Sequence, residues 1–129
     1  MTASPGILFY GDPHGSWGNL LDEYARRPAS AVVLLDDCEL DRPLMETLEP
    51  IGSDGCPVFW IHGNHDNHSE QEWANLTGAP GGLHRNVVNV NGIYLAGLGG
   101  TYAGRVWYPR QGGVCRAVTN QTNGASALR

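Results

Sequence analysis

Three polar clusters each close an apolar run: Asp12-Pro13-His14 after ILFYG, Asp36-Asp37 after AVVLL, and Gly63-Asn64-His65-Asp66 after PVFWIH. All three are rich in oxygen and imidazole donors, the groups that hold divalent cations. Residues two apart on an extended segment face the same way, and Pro13 disfavours helical geometry at Asp12, so Asp12 and His14 can hold one ion between them. Asp37 carries two carboxylate oxygens and can bridge to a second ion, to which Asn64 adds a neutral oxygen. A shared carboxylate sets such a pair about 3.5 to 4 Å apart, where a bridging water becomes hydroxide near neutral pH and lies opposite a phosphoester leaving group. His65 is then free to act as general acid, with Asp66 placed to orient its ring and stabilise the charged form.

The elements that must position these groups follow from the apolar pattern. Ile7–Tyr10, Ala31–Leu35 and Pro57–Ile61 are short continuous apolar runs, the mark of strands buried on both faces. Between the first two, Trp17, Leu20, Leu21 and Tyr24 fall at helical spacing, with Ser16 as candidate cap, Arg26 and Arg27 at the C-terminal end and Pro28 as the stop. Pro43–Leu48 reads as a short helix with proline in its first turn, and Ser69 and Glu72 form a capping-box pair opening a helix through Leu76. The first 80 residues therefore read β-α-β-α-β-α, which forces a mostly parallel sheet whose ligands gather beyond the carboxyl ends of the strands. All three clusters sit there. Val87, Val88 and Val90 then lead through Asn91-Gly92 into Ile93–Ala96, a strong hairpin signal. From about Gly112 onward no strand or helix period is visible, so residues 111–129 are expected to form an irregular tail behind a domain spanning 1–110.

The composition bounds the function. A chain of 129 residues with 41% apolar content suits one domain with a real core. Eight basic against thirteen acidic residues, for a net charge of −5, supply no basic patch for a phosphate backbone, which argues against strong nucleic-acid binding and for an acidic pocket neutralised by metal. Cys38, Cys56 and Cys115 are too few and too widely spaced for a disulfide framework or a structural zinc clip. With no signal-peptide pattern and no stretch approaching the roughly 18 apolar residues that cross a bilayer, the expectation is a cytoplasmic protein without a membrane role.

Taken together, D-x-H, the aspartate of G-D, and G-N-H-D resemble the signature of the calcineurin-like metallophosphoesterase family. Here they are Asp12-Pro13-His14, Asp36-Asp37 and Gly63-Asn64-His65-Asp66, with 22 residues between His14 and Asp37 and 25 between Asp37 and Gly63. The match runs from residue 7 to about 105, and LAGLGGTYAG resembles the strand and glycine-rich loop that follow the third motif. The resemblance implies an α/β fold, the N-terminal portion of a four-layer α-β-β-α metallophosphoesterase sandwich, mostly parallel sheet followed by an antiparallel hairpin. It also implies two divalent ions, manganese first with iron, zinc, nickel and magnesium as alternatives, and a phosphoester substrate: phosphoprotein, nucleotide or small phosphoester.

Two departures stand out. Asp36 occupies the place of the glycine that ordinarily precedes the bridging aspartate, adding a carboxylate that can act as a ligand or raise repulsion in the pocket. Family members complete the site with later histidines, and none follows His84 here, which in GGLHRN does not match. The first ion keeps Asp12, His14 and Asp37, whereas the second keeps only Asp37 and Asn64. The chain therefore reads as the N-terminal portion of a longer enzyme, and its alternative reading is a non-catalytic or weakly metal-binding remnant. Loss of closing strands would expose a sheet edge, which invites self-association. Outside the motifs, His62 reads as a packed strand-end residue, His68 as solvated beside a helix start, His84 with Arg85 as a surface-loop pair, and Cys38 as buried rather than nucleophilic.

Overall fold

A computed structural model describes residues 5–100 together with the strands 105–108 and 116–119. In chain order the elements are β1 (Ile7–Gly11), α1 (Gly18–Arg26), β2 (Ala31–Leu35), α2 (Leu44–Thr47), α3 (Glu49–Ser53), β3 (Val58–Ile61), α4 (Glu70–Thr77), β4 (Val87–Val90), β5 (Ile93–Ala96), β6 (Arg105–Tyr108) and β7 (Arg116–Thr119). The first three strands form one parallel sheet in the order β1-β2-β3, with Ile7 opposite Ala31 and Val32 opposite Val58. Beyond β3, Leu83 donates its amide to the Trp60 carbonyl at 2.8 Å and Trp60 donates to Gly81 at 3.1 Å, so a short extended segment continues the sheet.

Alternation along a strand explains the core. Val32, Leu34, Val58 and Trp60 face one side of the sheet and pack against Leu20 and Tyr24 of α1, Leu44 of α2, Ile51 of α3 and Leu76 of α4. Ala31 and Val33 face the other side and are equally buried. Each fully buried leucine in that cluster contributes about 2 kcal/mol through the apolar area it removes from water. Cys38 lies in the same core at 0% exposure, and burial pushes its thiol far above the ordinary range, so it serves packing.

Several local expectations are corrected. Among the described residues β1 pairs with β2 alone, and Phe9 is 52% exposed, so this apolar run is an edge strand there rather than one buried on both faces. Ser16 does not cap α1: Trp17 takes the N-cap position, while the Ser16 amide donates to the Pro13 carbonyl and its carbonyl accepts from the Tyr10 hydroxyl. No periodicity announces α3, which follows α2 with Leu48 alone between them. Four residues of the segment read as irregular, Arg116–Thr119, form β7 antiparallel to β6, because strand pairing satisfies backbone groups whether or not the side chains alternate.

Other expectations hold. Ser69 Oγ accepts from the Glu72 amide at 3.1 Å as the N-cap of α4. Asn91 and Gly92 both take positive φ, 49° and 87°, joining β4 to β5 in the hairpin that this dipeptide favours. No helix among the described residues is long and apolar enough to cross a membrane. The expected α/β fold, a parallel three-strand sheet followed by an antiparallel hairpin, is what the chain forms.

Candidate metal centre

The carboxyl ends of β1, β2 and β3 are adjacent in the sheet, so the loops leaving them are held side by side. The first two loops remain in parallel register beyond the strands: the amides of Asp12, His14 and Gly15 donate to the carbonyls of Leu35, Asp37 and Cys38 at 2.9, 2.9 and 3.0 Å. The third loop joins them through side chains. Asp37 Oδ1 accepts from the His65 amide at 2.9 Å, and the Asp66 carboxylate accepts from the Gly63 amide at 2.7 Å and the Glu39 amide at 3.0 Å.

These loops carry unusual backbone geometry. Asp12, His14, Asp36, Asp37 and Glu39 all have φ between 45° and 62°, a region that disfavours side chains with a Cβ. Non-glycine residues persist there only where surrounding structure holds them, and such positions cluster at functional sites. Gly63 must be glycine for a different reason: a Cβ there would overlap the Asp37 carboxyl group and lie 2.7 Å from the Asp37 amide nitrogen.

The ligand atoms of Asp12, His14 and Asp37 lie within 4.8 Å of one another. Two carboxylates and one imidazole suit a divalent ion that accepts hard oxygen and borderline nitrogen donors, and the open side leaves positions for water or substrate. Asp37 is 8% exposed, and Asp12 and His14 are exposed at the mouth. Asn64 is half-buried on the loop beside Gly63, one residue from the amide bound to Asp37.

The acidic neighbours shape the charge. The imidazole of His14 is raised above its ordinary value, chiefly by its hydrogen bond with Glu39, Nδ1 to Oε2 at 3.0 Å, and further by Asp37 and Asp12. Asp36 is pushed up to about 6, first by burial and then by Asp37, Asp12 and Asp66, and its Oδ1 is buried with no hydrogen-bond partner among the described residues. The extra carboxylate thus raises repulsion.

Asp36→Gly removes this crowded carboxylate. Between about pH 3.8 and 6 the metal-free fold keeps this carboxyl protonated while the unfolded chain has released its proton. Its contribution to stability is present below about pH 3.8 and is lost as pH rises to about 6. Glycine also relieves the left-handed backbone at φ 62°. The variant is expected to be more stable by about 1 kcal/mol at pH 7 and by less at pH 4, read from urea denaturation at the two pH values.

One sequence expectation changes in this site. Asp66 is 1% exposed, and its oxygens accept from backbone amides of two loops rather than from the His65 ring. The carboxylate facing His65 belongs to Glu39, with Oε1 3.5 Å from Nδ1. His68 is exposed but also gathered in, its ring 4.9 Å from that of His65. Glu39 and His68 were missed because neither follows an apolar run directly, although Glu39 is two residues from Asp37 and His68 three from His65. His62 packs as expected, edge-on to Trp73 and His84 at 5.3 and 5.0 Å. His84 Nδ1 accepts from the Gly99 amide at 3.0 Å.

Residues 6–124 match the family described as calcineurin-like phosphoesterase, and the chain belongs to that family. It is 33% identical over 106 residues to an uncharacterized protein of Haemophilus influenzae, an alignment covering 80% of this chain and 46% of the relative. The chain thus spans about half the length of the curated relative it matches. No solved structure matches.

Proposed function

We propose that the protein hydrolyses phosphoesters with the help of divalent cations held at the ends of β1, β2 and β3. One observation carries the reading: Asp12, His14 and Asp37 bring their ligand atoms within 4.8 Å of one another, with the His65 ring 5.4 Å from that of His14. Asp12, His14 and Asp37 would hold the first ion, and Asp37 with Asn64 would reach the second; manganese is the first choice, with iron, zinc, nickel and magnesium as alternatives. Bound divalent ions supply an acidified water and neutralise phosphoryl charge.

The chain's own residues do the rest. Asp37 holds the His65 amide, which fixes the loop, and the His65 imidazole stands at the mouth, where it can give a proton to the departing oxygen. Glu39 orients that ring in place of Asp66. The substrate is a phosphoester of protein, nucleotide or small-molecule origin. A cytoplasmic setting is supported by Cys38 and Cys56, both free thiols.

The test is turnover of p-nitrophenyl phosphate and its bis ester with manganese. His65→Ala is expected to lower kcat by about 100-fold, the usual size of a lost general acid, while manganese affinity is retained. Unchanged turnover in that variant would remove the acid from His65. A second reading is a metal-binding protein without turnover; among the described residues, the donors named for the second ion are Asp37 and Asn64. Manganese binding without hydrolysis of either ester would establish it.

A further inference from the structure

We propose that Glu39, His65 and His68 form a separate transition-metal site, suited to zinc or a similar borderline cation. Their ligand atoms lie within 4.8 Å of one another, a second such group beside Asp12, His14 and Asp37. None of its members belongs to the first group. The motif pattern of the sequence includes His65 as an acid and contains neither Glu39 nor His68.

The donor set is chemically distinct from its neighbour. Two imidazoles and one carboxylate are a donor set characteristic of zinc, with a fourth position left to water or an exogenous ligand, whereas two carboxylates and one imidazole serve harder ions equally well. The rings of His65 and His68 meet at 83°, edge to face, so one ring's edge is directed at its neighbour rather than stacked parallel to it. Glu39 is preorganised: its amide is held by Asp66 Oδ1 at 3.0 Å, and its backbone is fixed at φ 50°. Its Oε1 lies 3.5 Å from His65 Nδ1 and its Oε2 3.0 Å from His14 Nδ1. His68 immediately precedes Ser69, the cap of α4, so the helix start fixes the backbone beside the third donor.

Occupancy of this site has a functional consequence, which rests on the role proposed for His65. A cation bound through that imidazole takes the lone pair that would carry the proton. Excess zinc should therefore suppress manganese-supported turnover by withdrawing the general acid, and it should also draw Glu39 away from His14.

The experiment is a zinc titration of the full chain against a chromophoric chelator, with cobalt substitution as a spectroscopic readout. Wild-type protein is expected to bind zinc at two classes of site and to give the intense visible bands of four-coordinate cobalt. Asp12→Asn should keep those bands. His68→Ala, at an exposed position, should lose them and weaken one class of zinc site by about 100-fold, since losing a direct ligand costs at least what losing an outer-shell partner does. Glu39→Gln should act in the same direction, and circular dichroism confirms that both variants are folded. Zinc binding and cobalt spectra in His68→Ala indistinguishable from wild type would overturn the site. Because these readouts require no turnover, an inactive protein leaves them decisive. If the protein turns over ester, zinc inhibition relieved in His68→Ala supports the consequence for His65, and equal inhibition in both proteins overturns that consequence alone.

Discussion

Asp66→Ala is expected to destabilise the metal-free protein by about 3 kcal/mol and to weaken manganese binding although Asp66 is not a ligand. The carboxylate is 1% exposed, and its two oxygens accept from the Gly63 amide at 2.7 Å and the Glu39 amide at 3.0 Å. Alanine leaves both donors without their acceptor. Hydrogen bonds to a charged group contribute about 1.5 to 3 kcal/mol each, and an orphaned buried donor costs about 1 to 3. Against this stands relief from burying the charge, since desolvation raises the Asp66 carboxyl above its ordinary value despite the amides. The hydrogen bonds win because one of them, from the Glu39 amide, joins loops 27 residues apart in sequence while the other ties Asp66 to its own loop at Gly63. Asp66→Asn should recover only part of the loss, since its NH2 group would face an amide donor. Urea denaturation without metal reads the first effect and calorimetric titration with manganese the second. A loss below about 0.5 kcal/mol, the usual size of a surface substitution, would show that the two loops are held together by something else.

The strands and the cluster positions were legible because short apolar runs ending in polar donors have one simple outcome in a parallel sheet: the donors emerge together at the carboxyl ends. Asp12, His14 and Asp37 meet for that reason. What the sequence could not display is the traffic between loops. Asp66 follows His65 directly, which suggested a partner for the ring, yet its carboxylate turns inward to amides whose positions depend on how the β2 and β3 loops pack. Glu39 became the neighbour of both His14 and His65 through a left-handed backbone that no periodicity announces. Asp36 was visible as the residue standing where the family has glycine. Its φ of 62° gives the physical reason for the glycine, and its buried oxygen shows what the carboxylate costs. The phenylalanine exposed on β1 has the same lesson in reverse: an apolar run specifies a strand, but its neighbours decide which faces are covered.

Asp37→Asn is expected to move metal affinity and metal-free stability in opposite directions. Asparagine preserves the shape and the Oδ1 acceptor that holds the His65 amide at 2.9 Å, so the loop remains anchored. It removes one negative charge from a pocket in which Asp12, Asp36, Asp37 and Asp66 act on one another; Asp37 is the largest charge acting on Asp36 after burial. The Asp36 carboxyl should therefore move back toward its ordinary value, and the metal-free protein should become more stable at pH 7, where Asp36 would otherwise be ionised at a cost. Metal binding should fall by about 100-fold or more, since at ligand distances a unit charge near a protein surface interacts with a cation by several kcal/mol. Manganese titration and urea denaturation of the same two proteins read both quantities. Simultaneous loss of stability and affinity would mean that Asp37 is chiefly a structural anchor. Affinity equal to wild type would mean that the cation is held elsewhere. The opposed signs are the specific signature of a carboxylate kept in a crowded acidic pocket for the ion that neutralises it.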